Sequence, residues 1–338
     1  MSSFKGVLVG MGSHGRYWNT ICSDHSEVDL VGYVARTETS RERVAVQWGV
    51  PRERLFASLQ ESIERARPDF VLDVTPPQAH REVALTSFSA GLPVLGEKPM
   101  SDSFSDAREM VEAGERAGCM HMIAQQKRFE PQPRKTRRLI EDNVIGEPGQ
   151  LDISFYVPWA DSPGTHYVKE PFMFLLDMGC HHFDTIRYVL DADPEGVQVI
   201  SWNLPWGWHQ GDASHVAVFD FSGGLRAVHR AMGCSVGKRT PWTGNWRIEG
   251  PSGSITWEDD RVFVTQEHRS EKPRREEVPV KAIAADRVKA SVLDEFLSAL
   301  KEGREPECSG RDNLKTMAMT FAALESARRG RRVSISEK

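Results

Sequence analysis

The first 125 residues alternate short apolar runs with amphipathic stretches, and a glycine-rich turn, Gly10-Met11-Gly12-Ser13-His14-Gly15, directly follows the first run. Runs at 6–10, 28–35, 69–74, 93–96 and 121–124 have strand length, while 41–48, 78–90 and 104–117 carry helical periodicity. Strand and helix alternating at this spacing imply βαβ units with right-handed crossovers and a parallel sheet. Pro68-Asp69, Gly91-Leu92-Pro93 and Ala117-Gly118 mark helix ends ahead of the strands that follow.

In such a unit the Gly-x-Gly-x-x-Gly pattern suits a dinucleotide. Its glycines allow a tight turn, a close backbone approach to pyrophosphate and close helix–strand packing, and the helix N-terminus faces the phosphates. The second strand ends Tyr33-Val34-Ala35-Arg36-Thr37, without the carboxylate that would hold the ribose 2′-hydroxyl of NAD. Arg36 suits a 2′-phosphate instead, so NADP is the expected cofactor. NAD stays usable if Arg36 stacks on adenine or points to solvent. Thr75-Pro76-Pro77 follows the 69–74 strand at a carboxyl edge, where ligands of open α/β sheets bind, and His80 lies three residues on. The expected cofactor contacts are Gly10, Gly12, Ser13, His14, Gly15, Arg36, Thr37, Thr75, Pro76, His80, Glu97 and Lys98.

The pattern changes after residue 125. A helix over 131–143 is followed by alternating runs at 151–157, 198–204, 214–221, 225–232, 246–249, 254–258 and 261–266. These read as an antiparallel sheet, with turns such as Ser222-Gly223-Gly224. Helices over 290–302 and 312–329 close the chain, and the charged stretch 267–277 is expected to be an exposed loop. At 338 residues two domains are expected, 1–125 and 126–338. The net charge of −5 gives no electrostatic reason for a nucleic-acid or anionic-membrane partner. No apolar run approaches the ~20 residues of a membrane helix, and the apolar start is too short for a signal peptide. Five scattered cysteines without a CxxC pair suit reduced thiols and a cytoplasmic location.

The chemistry concentrates in Asp177-Met178-Gly179-Cys180-His181-His182-Phe183-Asp184. Asp177 and His181 are four apart and would share one face of a helix, with Asp184 on roughly the same side. The octet alone fits an acid–base device, a metal site or a polar helix start.

Together with Gly10–Gly15, Thr75-Pro76-Pro77-Gln78-Ala79-His80 and Gly96-Glu97-Lys98-Pro99, this segment resembles the glucose–fructose oxidoreductase / inositol dehydrogenase / rhizopine-catabolism (Gfo/Idh/MocA) family. Trp246-Arg247-Ile248-Glu249-Gly250 and the C-terminal end fit as well, so the resemblance spans essentially the whole chain. It implies an α/β protein: an N-terminal Rossmann domain, then a C-terminal α/β domain with an open, mainly antiparallel sheet. It implies hydride transfer between a nicotinamide and a sugar, polyol or related carbonyl carbon, and a homodimer or homotetramer formed through the open sheet. Lys98, Asp177 and His181 match the family's catalytic pattern.

The residue chemistry agrees with that match. Oxidising a secondary alcohol needs a proton acceptor near neutral pH, which suits His181. Asp177 would orient that ring, and the Lys98 ammonium would stabilise developing alkoxide or shuttle the proton. No metal is expected, and Cys180, His182 and Asp184 are assigned to packing and structure. Two alternative readings of the chain stand beside this one: an enzyme that retains its cofactor and uses transient oxidation for elimination, epimerisation or glycoside hydrolysis, and a non-catalytic ligand sensor. One departure stands out. Bulky Pro171, Phe172, Met173 and Phe174 precede Asp177 where small glycines are common, and they are expected to narrow or reshape the pocket beside the nicotinamide. Trp159, Trp202, Trp206, Trp208 and Trp242 are candidate sugar-stacking faces. Tyr156, His166 and Lys127-Arg128 are further candidates for substrate contact.

Overall fold

The computed structural model describes residues 3–159, 168–266 and 272–335. His166 and the start of the 267–277 stretch lie outside the described residues.

The chain divides into two compact units, residues 1–125 with 285–314, and residues 126–284 with 315–338. The first unit is built on six parallel strands: β1 (Phe4–Val9), β2 (Val28–Val34), β3 (Leu55–Phe56), β4 (Phe70–Asp73), β5 (Val94–Gly96) and β6 (His121–Ile123), in the order β3-β2-β1-β4-β5-β6. The connecting helices are α1 (Ser13–Asp24), α2 (Glu38–Trp48), α3 (Leu59–Ala66), α4 (Pro77–Ser89) and α5 (Phe104–Ala117). Polar residues start three of them. Thr37, Ser58 and Ser103 each accept a first-turn amide hydrogen bond, while Gly49 and Gly118 end α2 and α5 in the left-handed region. Strand order reverses direction around β1, so the crevice at the carboxyl ends of β1 and β4 is the topological switch point.

The second unit contains α6 (Pro131–Glu141), β7 (Gln150–Tyr156), α7 (Met173–Leu176), α8 (Gly179–Leu190), β8 (Gly196–Trp202), β9 (Ser214–Asp220), β10 (Arg226–Met232), β11 (Asn245–Gly250), β12 (Gly253–Glu258), β13 (Arg261–Gln266) and β14 (Arg274–Val278). The chain ends with α9 (Ala285–Glu302), α10 (Gly310–Arg329) and β15 (Val333–Ser334). The sheet runs β14-β13-β12-β11-β7-β10-β9-β8-β15. It is antiparallel except between β7 and β10, which pair in parallel. The long connection from β7 to β10, which includes α7 and α8, permits that parallel pair. Where an exposed loop was expected, β14 pairs with β13.

One sheet face carries the core. Phe183, Ile186 and Val189 of α8 and Met319 and Ala323 of α10 pack on Ile153, Val199, Ala217, Phe219 and Ile248. The alternate residues Ile200 and Trp202 of β8 are exposed. Helix α9 packs with the first unit instead: its Phe296 meets Phe70 of β4 edge-on at 5.5 Å, and the Cys308 carbonyl accepts the Ile123 amide at 2.9 Å.

Two buried polar networks fix α8. The Arg128 guanidinium grips Asp184 (Nε to Oδ2 2.8 Å), and the Thr316 hydroxyl donates to the same carboxylate at 3.2 Å. This assigns Asp184 to structure, and it makes Arg128, a candidate for substrate contact, a buried core residue. On the adjacent side, His182 Nδ1 lies 2.8 Å from His229 Nε2, and His229 Nδ1 lies 2.9 Å from His215 Nε2. His182 Nε2 faces the Trp242 carbonyl at 3.3 Å. That carbonyl only accepts, so each ring carries its proton on Nε2 and the tautomers are fixed along the row.

The three rings are neutral when folded. Burial holds all three below the ordinary histidine range, with His182 near about 4 and His215 about 3; the neighbouring rings add to the effect at His215 and His229. Unfolding releases them to titrate near pH 6.5. Their contribution to stability is therefore complete above that pH. It falls on acidification, by on the order of 1 kcal/mol per pH unit for each ring. Urea unfolding midpoints are expected to drop between pH 7 and pH 5; a midpoint independent of pH over that window overturns this account.

Candidate functional site

In the first unit the glycine-rich turn joins β1 to α1. Gly10 has φ +103°, and a Cβ there would meet the Val74 carbonyl oxygen at 2.6 Å. A Cβ at Gly15 would collide with the Gly10 carbonyl oxygen. Both glycines are thus demanded by the protein itself. A Cβ at Gly12 would meet nothing within 4 Å. That open space lies at the N-terminus of α1, where Gly12 is the N-cap and no side chain caps the first amides. Uncapped amides and free space over a 12-residue helix suit a pyrophosphate.

A cavity of about 500 Å³ opens from this turn across the carboxyl ends of β1, β2 and β4. Gly10, Gly12, Arg36, Thr37, Thr75 and Pro76 line it, as do Ser40, Arg43 and Glu82. Arg36 and Arg43 are exposed cations at the end of β2 and on α2. Arg43 also donates to the Met11 carbonyl at 2.8 Å, bracing the glycine turn. The sequence reading missed Arg43, although its place six residues beyond Thr37 on a capped helix was a usable signal. Thr37 caps α2, and the Thr75 amide and hydroxyl turn back to Asp73 Oδ1 at 3.0 and 2.7 Å.

His80, Glu97 and His14 do not line this cavity; they hold its frame. His80 is buried, with Nε2 2.8 Å from the Thr75 carbonyl and Nδ1 3.1 Å from both the Pro99 and Met100 carbonyls. It ties the turn after β4 to the turn after β5. Glu97 is also buried. Its Oε1 accepts from Trp18 Nε1 at 2.8 Å and from Lys289 Nζ at 2.7 Å, with His14 Nδ1 at 3.5 Å. Its Oε2 accepts the Lys98 amide at 3.2 Å. Burial alone would raise the Glu97 pKa, but His14 and Lys289 outweigh it and hold the carboxyl well below the usual range. The Lys98–Pro99 peptide is cis. Ser13 and Lys98 flank these groups in sequence, at the start of α1 and in the turn.

In the second unit Asp177 and His181 do not share one regular helix. Asp177 is the C-cap of α7, Met178 is the N-cap of α8, and both are in the right-handed helical region. The Asp177 amide bonds to the Met173 carbonyl at 2.9 Å, and the His181 amide bonds to Met178 at 3.1 Å. Gly179 permits the junction: a Cβ there would lie 2.9 Å from the Phe174 carbonyl oxygen. His181 is buried in the first turn of α8, and Asp177 is half-buried.

Two of the bulky residues before Asp177 lie in the core of the second unit. Met173 and Phe174 are core residues packed with Phe155, Val157, Met178 and Ala231. Their preceding neighbour Phe172 adopts φ +54°, an uncommon conformation for so bulky a residue. Trp159 and Trp242 meet edge-on at 5.1 Å, and Trp208 Nε1 donates to the Trp159 carbonyl at 2.8 Å. Trp206 and Trp242 are 56% and 47% exposed, leaving ring faces for a ligand, whereas Trp202 lies on the uncovered sheet face. Tyr156 sits in β7, and its amide donates to the Thr240 hydroxyl. Lys127 pairs with Glu130 at 2.7 Å. Among the described residues no group of three or more His, Cys, Asp or Glu side chains is arranged to hold a metal ion, and no helix is long and apolar enough to cross a membrane.

Comparison with known proteins gives concordant matches. A family model described as "Oxidoreductase family, NAD-binding Rossmann fold" (GFO_IDH_MocA) matches residues 4–125, and the GFO/IDH/MocA C-terminal domain matches 134–256. A D-apiose dehydrogenase of Paraburkholderia graminis is 27% identical, over 98% of this chain and 90% of that protein. An inositol 2-dehydrogenase of Rhizobium meliloti is 25% identical, over 97% and 98%. In fold, the chain matches the crystal structure of an Agrobacterium radiobacter oxidoreductase in complex with NAD+, L-tartaric acid and magnesium, with a TM-score of 0.87 over 99% of both chains at 23% identity.

Gly12 and Gly10 make separable predictions. Gly12→Ala is expected to raise the dissociation constant for the dinucleotide about tenfold or more while leaving the thermal midpoint within a degree or two. Gly10→Ala is expected to lower the midpoint, because its Cβ meets backbone. Equal stability losses in the two variants would contradict the assignment of the open space above Gly12.

Proposed function

The chain belongs to the Gfo/Idh/MocA oxidoreductase family and is an NAD(P)-dependent dehydrogenase or reductase acting on CH–OH groups; from that premise we propose that its substrate is a sugar or polyol and that it prefers NADP. The observation that carries the cofactor reading is the pair Arg36 and Arg43 beside Thr37 and Ser40 in one cavity, with no carboxylate at the end of β2. Guanidinium groups and hydroxyls suit a 2′-phosphate. Glu82, the carboxylate in that lining, belongs to α4 rather than to the ribose-binding end of β2. The polyol reading is supported by the dehydrogenases of D-apiose and inositol among the relatives and by the exposed tryptophan faces of the second unit.

When bound, the nicotinamide accepts or supplies the hydride. Each protein group then has a role suited to its surroundings. His181 takes the hydroxyl proton during oxidation and returns it during reduction. Asp177, two residues before α8, orients that imidazole. Lys98 offers an ammonium to the reacting oxygen and stabilises the alkoxide as it develops. Its backbone is fixed by Glu97 and by the His80 contacts to the next two carbonyls. The uncovered face of the second-unit sheet, with Ile200 and Trp202 exposed, is assigned to association with further copies of the chain.

A spectrophotometric panel of sugars, inositols and their keto forms, run with both cofactors, tests the reading. kcat/KM is expected to favour NADP at least about tenfold, and Arg36→Ala to erase most of that preference. Lys98→Ala is expected to abolish turnover with cofactor affinity nearly intact. Normal turnover in that variant, or a strong wild-type preference for NAD, would refute the corresponding part. Light scattering of the purified protein should give a dimer or tetramer; a monomer at micromolar concentration would rule out the association.

A further inference from the structure

We propose that Lys289 is a positioning residue for the reaction: from α9 its ammonium fixes the Glu97 side chain and, through it, the backbone that presents Lys98. The inference rests on the reading that Lys98 serves hydride transfer. Lys289 is 6% exposed and Glu97 4% exposed. The ammonium sits 2.7 Å from Glu97 Oε1 and over the rings of Tyr17 and Trp18, at 5.0 and 5.3 Å. The carboxylate therefore has two ends with different tasks. Oε1 is held by Lys289 and Trp18, and Oε2 receives the Lys98 amide at 3.2 Å. The far side of the same turn is pinned by His80 through the Pro99 and Met100 carbonyls.

Stability alone does not account for this pair. Lys289 occupies the buried stripe of α9 with Val292, Leu293 and Phe296, where an aliphatic residue would pack without a desolvation penalty. Replacing a buried ion pair with apolar groups is often neutral or stabilising, whereas removing one partner leaves a costly lone charge. What an apolar pair would not provide is the acceptor for the Lys98 amide. His14 approaches Glu97 from α1, Lys289 from α9 and Asp73 from the end of β4, and Lys98 follows in the turn. Without Lys289, Glu97 keeps Asp73 as a like-charged neighbour and loses its closest cation. Its carboxyl then takes up a proton more readily, and its hold on the turn weakens as pH falls.

The test uses the full chain and the best substrate from the panel above. Lys289→Met is expected to lose at least about tenfold in kcat at pH 7, since small misplacements of reacting groups carry penalties of that size. Its cofactor KM should stay within about threefold, and the acid limb of its kcat profile should move towards neutrality. Lys289→Arg should restore most of the activity. The double variant Lys289→Met/Glu97→Gln should lack the displaced limb, because an amide does not titrate. A lower thermal midpoint with kcat and pH profile unchanged would show a merely structural pair and overturn the proposal. Should Lys289→Met not fold, Glu97→Gln carries the test with the same expected split between kcat and KM, and an unchanged kcat overturns it. Should the unaltered enzyme turn over nothing in the panel, the functional reading fails separately. The effect of Lys289 is then read on Lys98, by NMR of protein reductively methylated with 13C, the Lys98 signal being the one lost in Lys98→Ala. Its titration midpoint should move by more than half a pH unit in Lys289→Met and return in Lys289→Arg; an unmoved midpoint overturns the proposal.

Discussion

The Glu97 carboxylate is the group on which the functional half of the first unit depends. It lies where the glycine-rich turn, the turn after β5 and the returning helix α9 converge, and it bonds to something in each. A buried anion with this many donors cannot shift without leaving several of them unpaired, and unpaired buried donors are expensive. The arrangement couples two tasks usually described separately. The glycine-rich turn with the start of α1, through His14 and Trp18, and the turn that carries Lys98 share a single buried carboxylate.

Much of this unit was legible from sequence because its signals are local. Strand–helix alternation and the spacing of Gly10, Gly12 and Gly15 predict β1, α1 and the parallel sheet, and the Glu97-Lys98-Pro99 turn falls at a strand end as expected. The misses share a physical cause. Strand β3 is two residues long and carries no periodicity. Lys289 matters only through a partner 192 residues away. A charged residue in phase with the apolar stripe of α9 was its one local trace. His80 and Glu97 look like ligand contacts from their positions, yet buried carbonyls and cations consume their polar atoms.

The second unit shows the limit of periodicity differently. Spacing of four would place Asp177 and His181 on one face of a single helix, but a junction at Asp177 and Met178 separates α7 from α8, where a side chain at Gly179 would crowd the Phe174 carbonyl. In the octet, His182 and Asp184 point into separate buried networks, and these fix the helix that carries His181. Sequence gives the volume of the bulky residues before Asp177 but not their direction; packing against Phe155 and Ala231 turns Met173 and Phe174 inward. Sequence also reads strand alternation well but not pairing direction, so the parallel β7–β10 contact was invisible to it.

The discontinuity of the first unit has a consequence for how the protein is made. Its sheet is complete once residue 125 has been synthesised, but α9 and the strand-end contact from Cys308 arrive only with residues 285–314. The ribosome adds on the order of 5–20 residues per second. Glu97 therefore waits roughly ten to forty seconds for the lysine that neutralises it. During that interval the nascent chain exposes the apolar surface that α9 will cover and an acid without its counter-ion. A chain truncated before α9 would lack both that cover and that cation.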